Sequence, residues 1–134
     1  KLESEFMEVI SFGQKRSFSL NEAKSLLPII YRLTESAHKE VKSLMNRLEA
    51  IRGKNSRVEK ELEYQINFLV EKWQQKVSRL GVLPKGLWLA DFDNGNGYYC
   101  WKYPENSIGF FHGYNDGFSG RKRIEAENEE KEQF

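Results

Sequence analysis

The chain has 134 residues, of which 39% are hydrophobic and 31% charged, with a formal net charge of +1. This length is enough for one domain with its own core, and the small net charge argues against a dedicated nucleic-acid-binding protein, whose domains are usually strongly basic. The single cysteine excludes an intrachain disulfide, and no apolar run approaches the roughly 18 residues that a membrane-spanning helix needs. We therefore expect a cytoplasmic protein that contacts neither membrane nor nucleic acid.

The two ends of the chain are predicted to lie outside the folded domain. Residues 1–6 (KLESEF) precede Met7 and are typical of a cloning linker, so we treat residues 1–14 as a lead-in. Within it, residues 7–12 are compatible with a short strand, since Val9 and Ile10 favour extended structure, or with a disordered segment. Residues 125–134 hold five glutamates and one lysine and are interpreted as an acidic tail. The single domain is thus expected at residues 15–124.

The first predicted helix has a clear beginning. Ser19 followed three residues later by Glu22 is a capping-box pattern. From there an apolar stripe continues for about 30 residues, or about 45 Å of helix. Its members are Leu27, Ile30, Ala37, Val41, Leu44, Leu48 and Ile51. Pro28 lies inside this pattern and removes one backbone hydrogen bond, which predicts a bend rather than two separate helices.

A second helix follows after a short break. Gly53 suits the end of the first helix, and Ser56 with Glu59 three residues later predicts the cap of the second. The second stripe consists of Val58, Leu62, Ile66, Leu69, Trp73, Val77 and Leu80, and Gly81 then Pro84 end it. A link of four residues between two long helices predicts an antiparallel hairpin.

The apolar surface of this hairpin is wider than two helices can enclose. Additional apolar residues lie beside the main stripes, namely Tyr31, Leu33, Met45, Phe68 and Val70. The tip of the hairpin is too far from the C-terminal part of the chain to be covered by it. We therefore predict a homodimer in which two hairpins form a four-helix bundle; the alternative is a lone hairpin whose distal half is solvated.

The C-terminal part of the domain predicts a small β-sheet. Three runs rich in aromatic and other strand-favouring residues occupy residues 87–92, 98–103 and 107–112. The sequence DNGNG separates the first two runs and strongly favours a β-hairpin turn, because Asn and Gly tolerate positive φ. The expected result is an α+β fold: a long antiparallel two-helix hairpin, a three-stranded antiparallel meander, and a glycine-rich terminal loop at residues 113–123.

These elements together resemble a known family. The segments that carry the resemblance are FSLNEAKSLLP at residues 18–28, then GLWLADF, YYCW and FFHGYNDGFSGR. They are similar to the uncharacterised bacterial family DUF2203, and the similarity extends over residues 18–121. It implies a shared fold and a shared site formed by Asp91, Trp101, Glu105, His112 and Arg121. The family has no established activity, so the resemblance implies none.

The residues around His112 suggest two kinds of reactive centre. His112 with Asp116, Glu105 and Asp91 offers nitrogen and oxygen ligands for a metal, although no HExxH or paired CxxC motif is present. Cys100 with His112 would be a nucleophile and base if they met in space, but a buried, inert thiol is the more common state of a cysteine within a strand. We assign no catalytic residue.

Arg121 permits two interpretations. It could bind an anionic ligand together with His112, with aromatic residues of the sheet as the apolar wall. Alternatively it pairs with Asp91 or Asp116 and fixes the terminal loop onto the sheet, and this simpler interpretation is preferred.

The function favoured by the sequence is a non-catalytic protein-interaction or dimerisation module without a cofactor. The alternative is a protein that binds a small anionic ligand or a metal, or an enzyme, with its site around Asp91, His112 and Arg121. A concave pocket with unpaired polar groups would favour the alternative, whereas a filled interface between sheet and helices, with those groups mutually paired, would favour the module.

Overall fold

The computed structural model describes residues 17–124. In this range helix α1 spans Leu20–Ile51 and helix α2 spans Ser56–Arg79. Five strands follow: β1 Leu83–Gly86, β2 Leu89–Asp93, β3 Tyr98–Lys102, β4 Phe110–His112 and β5 Lys122–Arg123, with a 3-10 helix, Phe118–Gly120, before the last. The predicted α+β class is confirmed. The lead-in, its strand at residues 7–12 and the acidic tail lie outside the described residues.

The start of α1 is the predicted capping box. The Glu22 amide donates to Ser19 Oγ at 3.1 Å, and the Ser19 amide donates to Glu22 Oε1 at 2.9 Å. Pro28 lies inside the helix, which continues through it for 32 residues in total. The expectation that this proline does not divide the region into two helices is confirmed.

The two helices form the predicted hairpin, but the second cap lies one residue earlier than expected. Asn55, rather than Ser56, caps α2, and its Oδ1 accepts a hydrogen bond from the Val58 amide at 3.2 Å. Asn and Ser are equally favourable N-cap residues, so the sequence alone could not show which of the two neighbouring residues caps the helix. Gly53 has a φ of +78°, which ends α1 without steric cost.

The sheet is larger than predicted. The described part of the chain holds five antiparallel strands in the order β1-β2-β3-β4-β5, so every strand pairs with its neighbours in sequence. The predicted three-stranded meander contains only the middle strands. Strand β1 escaped prediction because it includes Pro84 and Gly86, which weaken a strand pattern but are tolerated at a sheet edge.

The predicted glycine-rich terminal loop is also corrected. Its last part forms the 3-10 helix, and the chain then enters the two-residue edge strand β5. The Ile124 amide donates to the Gly109 carbonyl at 2.8 Å, and Ile124 is buried in the core. The loop therefore connects two paired strands of the sheet, β4 before it and β5 after it.

The turn between β2 and β3 sets the register of the sheet. Gly95 has a φ of +91°, and the Asn94 amide donates to the Gly97 carbonyl at 2.8 Å. Asp93 then pairs with Tyr98, and the pairing continues through the strands as Phe92 with Tyr99, Asp91 with Cys100 and Ala90 with Trp101. Because side chains alternate along a strand, this register decides which residues share each face.

The core lies between the inner face of the sheet and the base of the hairpin. The inner face contributes Ala90, Phe92, Tyr99 and Trp101, and the helices contribute Leu20, Ala23, Leu27, Ile30, Trp73 and Val77. One buried polar contact crosses the helices: Trp73 Nε1 donates to Thr34 Oγ1 at 2.8 Å, and Thr34 Oγ1 donates to the Ile30 carbonyl at 2.8 Å. The two groups satisfy each other, so both remain in the core without an unpaired polar atom.

The far half of the hairpin lacks this third layer. The aromatic contacts between α1 and the sheet reach as far as His38, whose ring lies 5.7 Å from that of Trp88. Beyond that point the buried residues of the hairpin are Val41, Leu48 and Leu62. Neither helix has a segment long and apolar enough to cross a bilayer.

Replacement of Trp101 by alanine tests the inner face. The side chain is fully buried, and its Nε1 donates to the Glu105 carbonyl at 2.7 Å. We expect Trp101→Ala to lower the free energy of unfolding by about 3–5 kcal/mol, because a large cavity forms in the core. Urea denaturation measures this, with Lys102→Ala on the exposed neighbour as the control, expected within about 0.5 kcal/mol of the native protein. A loss below about 1 kcal/mol for Trp101→Ala would mean that the ring does not support the core.

Candidate functional site

The outer face of the sheet carries three buried residues that are not typical of packing. Asp91 on β2, Cys100 on β3 and His112 on β4 lie on this face, and they are 3%, 1% and 5% exposed. The helices pack against the opposite face. The burial of an acid, a thiol and an imidazole at one point away from the core marks this face as the candidate site.

Asp91 and His112 form a hydrogen-bonded pair. His112 Nε2 lies 3.1 Å from Asp91 Oδ2, and His112 Nδ1 lies 2.9 Å from the Gly113 carbonyl oxygen. A carbonyl only accepts, so Nδ1 carries a proton, and one further proton is shared between Nε2 and the carboxyl oxygen. The pair is therefore neutral in total, whichever of the two atoms holds that proton. Burial raises the pKa of Asp91 above its ordinary value, and His112 acts in the opposite direction.

Cys100 completes a compact cluster with this pair. One ligand atom from each of Asp91, Cys100 and His112 lies within 4.8 Å of the other two. Burial, reinforced by the Asp91 carboxylate, raises the pKa of the Cys100 thiol to about 12. Cys100 and His112 thus lie close together, as the nucleophile–base hypothesis required, but a protonated thiol is the opposite of an activated nucleophile.

The loop after β4 covers part of this cluster and leaves a cleft of about 330 Å³ beside it. Tyr114 donates from its hydroxyl to Asp93 Oδ1 at 2.7 Å, and the Gly113 amide donates to Asp116 Oδ2 at 3.2 Å. Asp116 therefore holds the loop in shape and does not belong to the cluster. The cleft is lined in part by Lys85 and Tyr98.

Arg121 pairs with Glu105 and not with the aspartates expected from the sequence. Its Nη1 and Nη2 donate to the two carboxylate oxygens at 3.1 and 2.7 Å. The guanidinium also lies between two rings, 3.9 Å from the centroid of Phe110 and 4.2 Å from that of Phe118. A planar cation held by two hydrogen bonds and two aromatic faces is well satisfied, which leaves it little capacity to bind an anion.

The residues named from the sequence therefore divide into three groups. Asp91 and His112 meet at the cluster, whereas Glu105 and Arg121 satisfy each other nearby. Trp101 lies on the opposite face of the sheet, within the core. For a metal, the sequence offered His112 with Asp116, Glu105 and Asp91. The structure keeps His112 and Asp91 together and adds Cys100.

Cys100 is the residue that the sequence reasoning missed as a ligand. The predicted hairpin already implies that Cys100 lies near Asp91. If the turn pairs Asp93 with Tyr98, then two residues away from the turn Asp91 pairs with Cys100. His112 follows from the next strand, where it pairs with Tyr98. Alternation puts these side chains on one face.

The hairpin offers a second candidate surface. Two adjoining grooves of about 570 and 370 Å³ lie along the helices and share Glu40 and Leu69. On α2, Tyr64 and Phe68 line the larger groove and are 71% and 51% exposed. They are one helical turn apart, so they form an apolar ridge beside the groove.

Comparison with known proteins gives a family and no activity. A family model described as "Uncharacterized conserved protein (DUF2203)" matches residues 16–124. The search of curated proteins and the search of solved structures each found no significant match.

The Arg121–Glu105 pair can be tested by a double-mutant cycle. We expect Arg121→Lys and Glu105→Gln to show a coupling of about 1–3 kcal/mol, because lysine cannot reproduce the two-point contact and the pair is partly desolvated. Urea denaturation of the two single variants and the double variant gives this energy. Lys122→Ala, which changes the exposed cation next in sequence, is the matched control and should be additive with Glu105→Gln within about 0.5 kcal/mol. Additivity between Arg121 and Glu105 would show that the pair does not stabilise the loop.

Proposed function

We propose that this chain, which belongs to the DUF2203 family of uncharacterized conserved proteins, is a non-catalytic association module whose helical hairpin pairs with that of a second copy. The observation that carries the proposal is the exposed ridge formed by Tyr64 and Phe68 beside the groove that contains Leu44 and Leu69. Large aromatic side chains contribute more to protein interfaces than any other apolar residues.

The arrangement of ridge and groove supports a second copy as the partner. Both features lie on the same face of one hairpin. A twofold axis across that face would insert the ridge of each protomer into the groove of the other, which is the self-complementary contact of a symmetric dimer. The result would be a four-helix bundle, in which the far half of each hairpin gains the second layer that a helix pair needs.

The size of the surface is sufficient for this contact. The grooves extend along α1 from Ile29 to Leu44, about 22 Å at 1.5 Å per residue. A contact of that length across two helices is on the scale of the roughly 800 Å² that one partner contributes to a stable interface.

The charges around the grooves predict how this association responds to salt. The lining cations are Arg32, Lys39, Lys72 and Lys76, against the single acid Glu40. Like charges would therefore face each other around the contact, and apolar burial would provide the driving force. Added salt screens this repulsion, so association should persist or strengthen at high ionic strength.

Sedimentation equilibrium of the full chain tests this proposal. We expect dimers at high micromolar concentration in both low and high salt, and monomers for Phe68→Lys, because a buried ammonium group among the lining cations would oppose the contact. Leu87→Lys is the matched control: Leu87 is 52% exposed, like Phe68, but lies outside both grooves, so this variant should remain dimeric. A native chain that sediments only as a monomer, or a dimer that Phe68→Lys leaves intact, would refute association through the hairpin.

The cleft on the outer face supports a second function, the binding of a small ligand. The specific observation is the buried Asp91–His112 pair beside the cleft of about 330 Å³. The structure does not favour an anionic ligand there, since Arg121 is engaged by Glu105 and the cleft itself contains Asp91 and Asp116 against Lys85. A cation or a neutral polar ligand suits this lining better.

Native mass spectrometry of purified protein tests the ligand-binding cleft. We expect a mass above that of the chain, lost on denaturation, retained in His38→Gln and absent in His112→Gln. His38 is the matched control because it is the other histidine and packs between α1 and the sheet, away from the cleft. A bare chain mass in the native protein under all preparations would count against a ligand at this site.

A further inference from the structure

We propose that Asp91, Cys100 and His112 bind a divalent transition-metal ion of the zinc class on the outer face of the sheet. This inference rests on the cleft being a ligand site and is independent of association through the hairpin. It names the ligand chemistry that the three side chains would recognise.

The positions of the three donor atoms fit one ion. They come from three adjacent strands and lie within 4.8 Å of one another. Around a tetrahedral zinc ion, with bonds of about 2.0–2.3 Å, ligand atoms are separated by roughly 3.3–3.8 Å. Side-chain shifts of about 1 Å or less would therefore bring all three to bonding distance.

The orientation of His112 is that of a metal ligand. Its Nδ1–H donates to the Gly113 carbonyl at 2.9 Å, which directs Nε2 toward Asp91. Metal-binding histidines commonly donate their second ring nitrogen to a carbonyl or carboxylate in this way, because that hydrogen bond fixes the tautomer and the ring orientation. In His112 the supporting hydrogen bond belongs to the backbone and needs no other side chain.

The charges balance when a dication enters. Before binding, the Cys100 thiol is neutral, and Asp91 with His112 shares one proton. A dication would displace the thiol proton and the shared proton, leaving a thiolate, a carboxylate and a neutral imidazole as ligands. Two protons leave as two positive charges arrive, so the buried cluster remains neutral, and the cost of isolated buried charge is avoided.

The donor types select the metal. One sulfur, one nitrogen and one oxygen suit zinc and its borderline neighbours, whereas magnesium and calcium prefer oxygen ligands alone. Three protein ligands leave a fourth tetrahedral position, which a water or a small molecule in the adjoining cleft would fill. Asp116 lies outside this group of three, and its Oδ2 accepts a hydrogen bond from the Gly113 amide.

Metal titration of the full chain tests the proposal. Protein freed of metal by a chelator under reducing conditions would be titrated with Zn²⁺ against a chromophoric competitor, and separately with Co²⁺. We expect one equivalent per chain and, with Co²⁺, a thiolate-to-metal charge-transfer band, which must come from Cys100 because the chain has no other cysteine. The absence of stoichiometric binding, or a cobalt complex without that band, would overturn the proposal without recourse to any variant.

Variants then identify the ligands. Cys100→Ser and His112→Gln should weaken Zn²⁺ binding by more than about 100-fold, beyond the 10–100-fold typical of a change outside the ligand shell. His38→Gln is the control and should keep native affinity within about tenfold, with circular dichroism confirming that each variant is folded. Unchanged Zn²⁺ affinity in folded Cys100→Ser would overturn the assignment.

The outcomes separate this inference from the cleft proposal on which it rests. In one outcome the native mass exceeds the chain mass by that of an organic ligand, this excess depends on His112, and Zn²⁺ does not bind. That outcome would overturn the metal site and leave the ligand cleft standing. A bare native mass together with no Zn²⁺ binding would overturn both.

Discussion

The register of the β2–β3 hairpin is the constraint on which the remaining structure depends. A slip of one residue would move every side chain of a strand to the other face. Trp101 would then leave the core, and Cys100 would enter it. The correct register is held at the turn by Gly95 and the Asn94–Gly97 hydrogen bond.

Two contacts from other parts of the chain support that register. The Phe18 amide, just before α1, donates to the Asp93 carbonyl at 2.6 Å, and the Phe18 ring packs edge-on against Phe92 at 5.3 Å. On the other side, Gly97 lets β4 approach closely, since a Cβ there would lie 2.5 Å from the His112 carbonyl oxygen. The core and the outer cluster are therefore positioned by the same few backbone contacts.

Sequence reasoning was most successful where the structural signal is local. The capping box at Ser19 and the DNGNG turn are each complete within a few residues, so both the start of α1 and the central hairpin could be predicted. Edge strands give a weaker signal because only one side of the strand is paired. β5, with two residues, has no periodicity to detect.

The site was only half predictable for a related reason. Asp91, Glu105, His112 and Arg121 stand out by residue type, but their partners depend on tertiary contacts. The sequence suggested Asp91 or Asp116 as the partner of Arg121, whereas its pairing with Glu105 follows from the position of the loop over Phe110. Cys100 was identified as buried but not as part of a polar cluster, because that required combining two strand pairings.

The nearest-neighbour order of the sheet also bears on how the chain reaches this structure. Each strand pairs only with the strands next to it in sequence, and α1 packs on α2 in the same way. Contacts of short sequence separation require little loop closure, and chains dominated by them fold fast for their size. The exceptions are contacts between the N-terminal half of the hairpin and the sheet. Phe18 with Phe92, and Tyr31 with Trp101, each close a loop of about seventy residues. Docking of the sheet on the base of α1 therefore carries the largest loop-closure cost in this fold.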